Sequence, residues 1–183
     1  MRRWYVVPLA VVALSGCGYN RIQELDEQVS GFQGQIEVAL QRRMDLIPNL
    51  VNTVKGFAAQ ELAIFEEVSQ ARAQLGGAVQ SGDLAAMATA NQTLTGALGR
   101  LIAIAEDNPE IQSNENFLML QDQLEGTENR ISTARQDYNT AVRAYNAYIR
   151  KFPQVLTAKA IGASARTYFE AEEGAAAAPT VEF

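Results

Sequence analysis

From Ile22 onward, apolar residues return at every third or fourth position: Ile22, Leu25, Val29, Phe32, Ile36 and Ala39 make one stripe, the signature of an amphipathic helix. The next step lands on Arg43, and the spacing resumes in a shifted phase at Met44, Ile47, Val51, Val54, Ala58, Phe65 and Val68. The slip lies beside Pro48, a residue that lacks a backbone donor and disfavours helix at the position before it. Asp45 is of the type that caps a first turn, where proline is tolerated. The pattern therefore predicts a break near Pro48, with a new helix starting near Asp45. An unbroken helix from Asn20 to Leu75 would reach roughly 80 Å at about 1.5 Å per residue, so a reversal is expected there, with a kink as the alternative.

Leu75-Gly76-Gly77 followed by Ser81-Gly82-Asp83 reads as a stop, a loop and a cap. The third helix then carries Leu84, Met87, Leu94, Leu98, Leu101 and Ala105, and ends at Asp107-Asn108-Pro109. The fourth is the longest, with Phe117, Leu120, Leu124, Glu128, Ile131, Arg135, Tyr138, Val142, Tyr145, Ile149 and Phe152 spaced by threes and fours up to Pro153. A short amphipathic piece follows over 155–161. The expected fold class is all-α, an up-and-down four-helix bundle of long antiparallel helices spanning residues 17–169. Residues 170–183, rich in alanine, have little with which to build a core and read as a flexible tail.

Glu128 and Arg135 fall on the apolar register of the fourth helix, and Arg43, Glu61, Arg72 and Asn91 fall on inner or boundary registers of the others. About 10 Å of axial rise separates Glu128 from Arg135, too far for direct pairing. Three readings stand open for this set: boundary residues whose stems cover apolar surface, buried ion pairs that fix helix register, and a catalytic carboxylate. Glu106, Asp107 and Glu110 with Asn114-Glu115-Asn116 offer oxygen ligands but lack the spacing of a calcium loop, and a turn capping the fourth helix is the simpler reading.

Composition narrows the chemistry. The 183 residues include one cysteine and no histidine, which removes internal disulfides, Ser-His and Cys-His nucleophile pairs, and His-ligated metal sites. No catalytic residue, metal or cofactor is expected. The chain has 15 basic and 21 acidic residues; without Arg2 and Arg3 the balance is 13 against 21, a net of −8. Such a surface repels phosphate backbones and anionic headgroups, so neither nucleic acid nor a polybasic hold on lipid is expected.

The amino terminus has a pattern of its own. Met1-Arg2-Arg3 precedes an apolar run from Trp4 to Leu14, too short to span a bilayer, which needs about 20 residues. The run ends in Leu14-Ser15-Gly16-Cys17, which looks like a lipobox, so residues 1–16 read as a lipoprotein signal peptide and Cys17 as the acylated first residue of the mature chain. Two or more acyl chains suffice for stable anchoring. An extracytoplasmic, lipid-anchored domain is expected. Gly18, standing where aspartate would signal retention, points to the periplasmic side of the outer membrane if the host has two membranes.

Three segments are distinctive: RRMDLIPNLVNTVKGFAAQE over Arg42–Glu61, NENFLMLQDQLEGTENRISTARQDYN over Asn114–Asn139, and YNAYIRKFP over Tyr145–Pro153. With Tyr19-Asn20, Ala158-Lys159, Gly162 and Tyr168-Phe169, they resemble the LemA family from Tyr19 to about Phe169. That resemblance implies a helical bundle exposed on the far side of a bacterial membrane, with no established activity. The matching positions are Arg43, Asp45, Pro48, Asn49, Glu128, Asn129, Arg130, Arg135, Tyr138 and Asn139. Many members resemble proteins held by an uncleaved transmembrane helix, whereas a short signal and lipobox stand here. The expected function is a membrane-anchored, non-enzymatic interaction or scaffolding protein that docks another envelope protein. The alternatives are an envelope hydrolase using carboxylates alone and a membrane-organising protein that associates with its own copies.

Overall fold

The computed structural model describes residues 6–169 except Ala59, with side chains from Gly18 onward. The side chain of Cys17, residues 1–5 of the expected signal peptide and residues 170–183, expected to be a tail, lie outside the described residues. Among the described residues there are six helices and no strand: α1 (Val6–Lys55), α2 (Leu62–Ser81), α3 (Leu84–Glu106), α4 (Pro109–Gln112), α5 (Glu115–Ile149) and α6 (Gln154–Ala160). The all-α bundle expected from the periodicity is the observed class. Four of the helices are long, and α4 and α6 are short, with four and seven residues.

The break predicted at Pro48 does not occur. The helix α1 runs through the proline to Lys55, and the chain turns instead over Gly56–Glu61. Two local facts explain the difference. First, the inner stripe is continuous when Leu40 rather than Ala39 is followed: Ile36, Leu40, Met44, Ile47, Leu50 and Val54 are all 4% exposed or less. Second, the carbonyl that Pro48 leaves without its i+4 donor is that of Met44, and Arg72 Nε of α2 donates to it at 2.8 Å. Pro48 itself faces solvent. Asp45 caps no helix start; its carboxylate accepts from Gln41 Nε2 at 2.8 Å one turn earlier in the same helix.

Gly76 and Gly77 do not stop α2 either. Leu75 and Ala78 beside them are buried, and that packing holds the helix against a cost of about 1 kcal/mol per glycine. The helix ends at Gly82, whose φ of 70° is the left-handed conformation that a side chain would strain. Asp83 then caps α3 as read from the sequence, accepting from the backbone N–H of Ala85 and Ala86 at 2.9 and 3.2 Å. The Asn-rich turn also caps: Asn108 Oδ1 accepts from Glu110 N and Asn114 Oδ1 from Phe117 N.

Packing divides the chain into two units. One comprises the described residues up to Gln35 with Ala134–Tyr168; the other comprises Ile36–Thr133, to which Phe169 is also assigned. The helices α1 and α5 each contribute to both. In the first unit Ile22, Leu25, Val29, Tyr138, Val142, Tyr145 and Ile149 are buried. Beyond α6 the chain turns at Gly162 (φ 72°), where Ala163 N donates to Ala158 O and Gly162 N to Lys159 O, a Schellman closure that releases an extended segment over 163–168. In the second unit α2 and α3 form a hairpin whose outer faces are tied by the Arg100–Glu67 ion pair. Phe65, Leu75, Met87, Leu94, Leu101, Ile111 and Phe117 fill its core.

If Arg72 replaces the missing proline donor, its worth must depend on residue 48. Arg72→Met is expected to lower stability by about 1–2 kcal/mol with Pro48 present and by clearly less in a Pro48→Ala background, a coupling of about 1 kcal/mol read from urea unfolding. Equal losses in the two backgrounds would refute the assignment.

Candidate functional site

Two polar clusters stand out, one in each unit. In the second, Arg43 is 5% exposed on the inner stripe of α1, where helical spacing places it between Leu40 and Ile47. Its Nη1 donates to Oδ1 of the buried Asn91 of α3 at 2.7 Å and lies 2.6 Å from Oε2 of Glu128 on α5. The alignment is that of a hydrogen bond toward Asn91; the approach to Glu128 is coulombic, without hydrogen-bond angles. Among the described residues Arg43 Nε faces no acceptor. Burial pushes the Arg43 guanidinium below its ordinary range, and the Glu128 carboxylate pushes it back up. Arginine stays charged at neutral pH even so, and the cluster holds one buried positive charge against three helices.

The remaining polar positions fall in several places. Arg72 is engaged with the Met44 carbonyl. Glu61 stands at the start of α2 and makes no side-chain cap. Arg135 belongs to the first unit and is half-buried there. Of the other motif positions, Asp45, Pro48, Asn49, Asn129 and Arg130 are exposed, Asn139 is half-buried, and Tyr138 is buried in the first unit.

Sequence reasoning missed the cluster of the first unit. Asn146 of α5, 6% exposed, clasps the backbone of Arg166: its Nδ2 donates to Arg166 O and its Oδ1 accepts from Arg166 N, each at 2.8 Å. Tyr138 Oη, two turns away on the same helix, donates to Thr167 O at 2.9 Å. Arg166 then reaches α1 and grips Asp26 with both forks at 2.9 Å. The extended segment is thereby latched to α5 by its backbone and to α1 by a side chain. A polar residue on the inner register beside Tyr145 was the available signal for Asn146; Asp26 and Arg166 lie 140 residues apart and carry no local signal.

Two clefts accompany these clusters. One of about 300 Å³ is lined by Gln23, Asp26, Tyr145, Ser164 and Arg166 among others, all in the first unit. The other, about 610 Å³, opens along the α2–α3 hairpin over small residues such as Gly77, Ala78, Ala86 and Ala90, with no carboxylate among its lining. Carboxylate-only acid–base chemistry needs two acidic groups converging with separated proton affinities. Neither cleft has them: Asp26 is alone in the first and is committed to Arg166.

Long helices, buried polar ties and the latched segment define a helical-bundle protein of the kind the three distinctive segments resemble. The chain belongs to the LemA family, whose model matches residues 33–183. It is similar to magnetosome proteins MamQ 2 and MamQ 1 of Paramagnetospirillum magneticum, each 31% identical over 88% of this chain and 68% of the relative. Magnetosome protein MamQ of Magnetospirillum gryphiswaldense is 30% identical over 82% of this chain and 64% of its own length.

The Arg43 cluster predicts an order of stabilities. Asn91→Leu, which strands the guanidinium, is expected to cost about 2–4 kcal/mol, whereas adding Arg43→Met should recover much of the loss. A double variant less stable than Asn91→Leu in denaturant unfolding would refute this. The latch predicts an alkaline limit. Burial raises the Tyr138 and Tyr145 phenols above their usual range, with Asp26 adding for Tyr145 and Arg166 opposing both; the hydrogen bond to Asp26 chiefly raises Arg166. Folded values above unfolded ones stabilise fully below the unfolded phenol value of about 10, and the gain is lost as pH rises through the folded values. Thermal midpoints should therefore stay flat across neutral pH in this respect and fall above about pH 10, less steeply in Tyr138→Phe. An equal alkaline fall in that variant would exclude Tyr138 as a source.

Proposed function

We propose that this LemA-family chain is a lipid-anchored envelope protein that works by contact rather than catalysis, its helical body docking another envelope protein. The observation that carries the anchor is Leu14-Ser15-Gly16-Cys17 after a basic start and a short apolar run. Among the described residues no helix is long and apolar enough to cross a membrane, and in this reading acyl chains on Cys17 hold the protein to the bilayer. Kinship with the LemA family and with proteins named for the magnetosome supports a membrane-associated role. A role by contact is the reading in keeping with a chain that has no histidine and a single cysteine.

Mass spectrometry of the protein from its membrane fraction is expected to find a mature amino terminus at Cys17 carrying acyl groups, and Cys17→Ser is expected to abolish that modification. An unmodified thiol at residue 17 would overturn the anchor. Turnover of a defined substrate that disappears in Glu128→Gln or Asp45→Asn would overturn the non-catalytic reading.

A further inference from the structure

Charge is unevenly distributed along this acidic chain. Between Asp137 and Glu170 there is no acidic residue, while Arg143, Arg150, Lys151, Lys159 and Arg166 fall in that interval. Arg166 is taken by Asp26. Arg150, Lys151 and Lys159 are exposed at the α5–α6 turn and along α6, and among the described residues none of the three is held in an ion pair.

The same elements expose large apolar side chains that a water-facing surface does not call for. Phe152 is 80% exposed and Leu156, one turn on, is 61% exposed. Tyr19, at 46%, belongs to α1 beside them. The contact is at Gly18: a Cβ there would meet Gln154 Cγ at 3.5 Å and Thr157 Oγ1 at 3.7 Å, so the α1 backbone rests on α6. Gly18 follows Cys17 directly. The residue that the anchor reading acylates thus enters the first unit beside α6, which carries Lys159 and the exposed Leu156. The acidic residues of α1 that follow begin at Glu24, paired with Arg21, and Asp26, paired with Arg166.

We infer that the α5–α6 turn and α6 form a membrane-contact surface, in which Phe152 and Leu156 enter the interface of an anionic bilayer while Arg150, Lys151 and Lys159 meet its headgroups. This deepens the envelope placement proposed above but does not require the acyl chain. Aromatic rings and long basic side chains are the residues that settle at the boundary of hydrocarbon and water, the basic ones with their stems buried and their charges outward. Whole-chain charge argues against lipid contact; the local distribution reverses that argument, because a headgroup senses charges within about a Debye length of 8–10 Å and not the total. A neighbouring acyl chain would keep the surface at the bilayer at high effective concentration, so modest intrinsic affinity suffices.

The test uses the full chain with Cys17→Ser, which separates this surface from acylation, and Trp4→Phe with Phe152→Trp, which leaves one indole at the turn. Phosphatidylcholine vesicles containing phosphatidylglycerol are expected to shift its emission to the blue, and pure phosphatidylcholine to do so far less. Lys151→Glu with Lys159→Glu should weaken partitioning by roughly fivefold or more per residue. Binding through the leader alone would not depend on Lys151 and Lys159, so the two charge reversals separate it from insertion driven by this surface. No shift with anionic vesicles, or a shift insensitive to the two charge reversals, would overturn the inference and leave an acidic, apolar protein partner as the occupant. Failure of acylation at Cys17 would instead show in the mass spectrum without touching this result.

Discussion

A helix that passes through a proline leaves one carbonyl without its partner, and the second unit is organised around how that carbonyl is satisfied. The ring at Pro48 removes the donor for Met44 O, in a stretch where Met44 and Ile47 must both stay buried. Arg72 supplies the donor from α2. One side chain thereby keeps α1 helical and fixes the height at which α2 lies against it. Without that donor the Met44 carbonyl would be left unpaired beside the buried stripe from Ile36 to Val54, a cost of about 1–2 kcal/mol.

Arg43 adds a second constraint on the same helix. A buried guanidinium is poor evidence for stability, since apolar residues of similar volume often do as well. It does discriminate among registers, because sliding α3 or α5 by one turn would separate Asn91 Oδ1 or Glu128 from a charge that has nowhere else to go. The first unit uses the same device at its edge: Asn146 holds the backbone of the extended segment from both sides, and the Asp26–Arg166 fork orients it toward α1. Partial exposure of that fork limits its energetic weight, so the buried amide and the Tyr138 hydroxyl do most of the holding.

Periodicity made the all-α class legible, together with α3, α5, the cap at Asp83 and the short piece that became α6. Its failures have a common cause: local signals were read as decisive where tertiary contacts override them. Ala39 and Leu40 both fit a three-four step, and choosing the smaller residue manufactured a phase slip beside Pro48. Gly76-Gly77 weakens a helix in isolation, yet Leu75 and Ala78 keep it in place. Arg43 and Asn91 were visible as polar residues on inner registers, but their pairing was not, because neither position encodes the distance between helices. Asp26 and Arg166 were beyond sequence logic altogether, since the turn at Gly162 that brings the segment back is a property of the folded unit.

Net charge and local charge are different quantities. A total of −6 describes how the whole chain moves in a field, but an interface is decided by the charges that face it. All 21 acidic residues lie outside 138–169, and three of the five basic residues within that interval, Arg150, Lys151 and Lys159, fall on the elements that also carry the exposed Phe152 and Leu156. Segregation of this kind has a cost in self-repulsion among the basic residues, and a fold with no use for it would place a glutamate among them. The acid-free interval includes α6, which rests on Gly18, the residue next to the proposed anchor at Cys17. A surface held beside a bilayer by its neighbour is the setting in which exposed phenylalanine and lysine cease to be liabilities and become contacts.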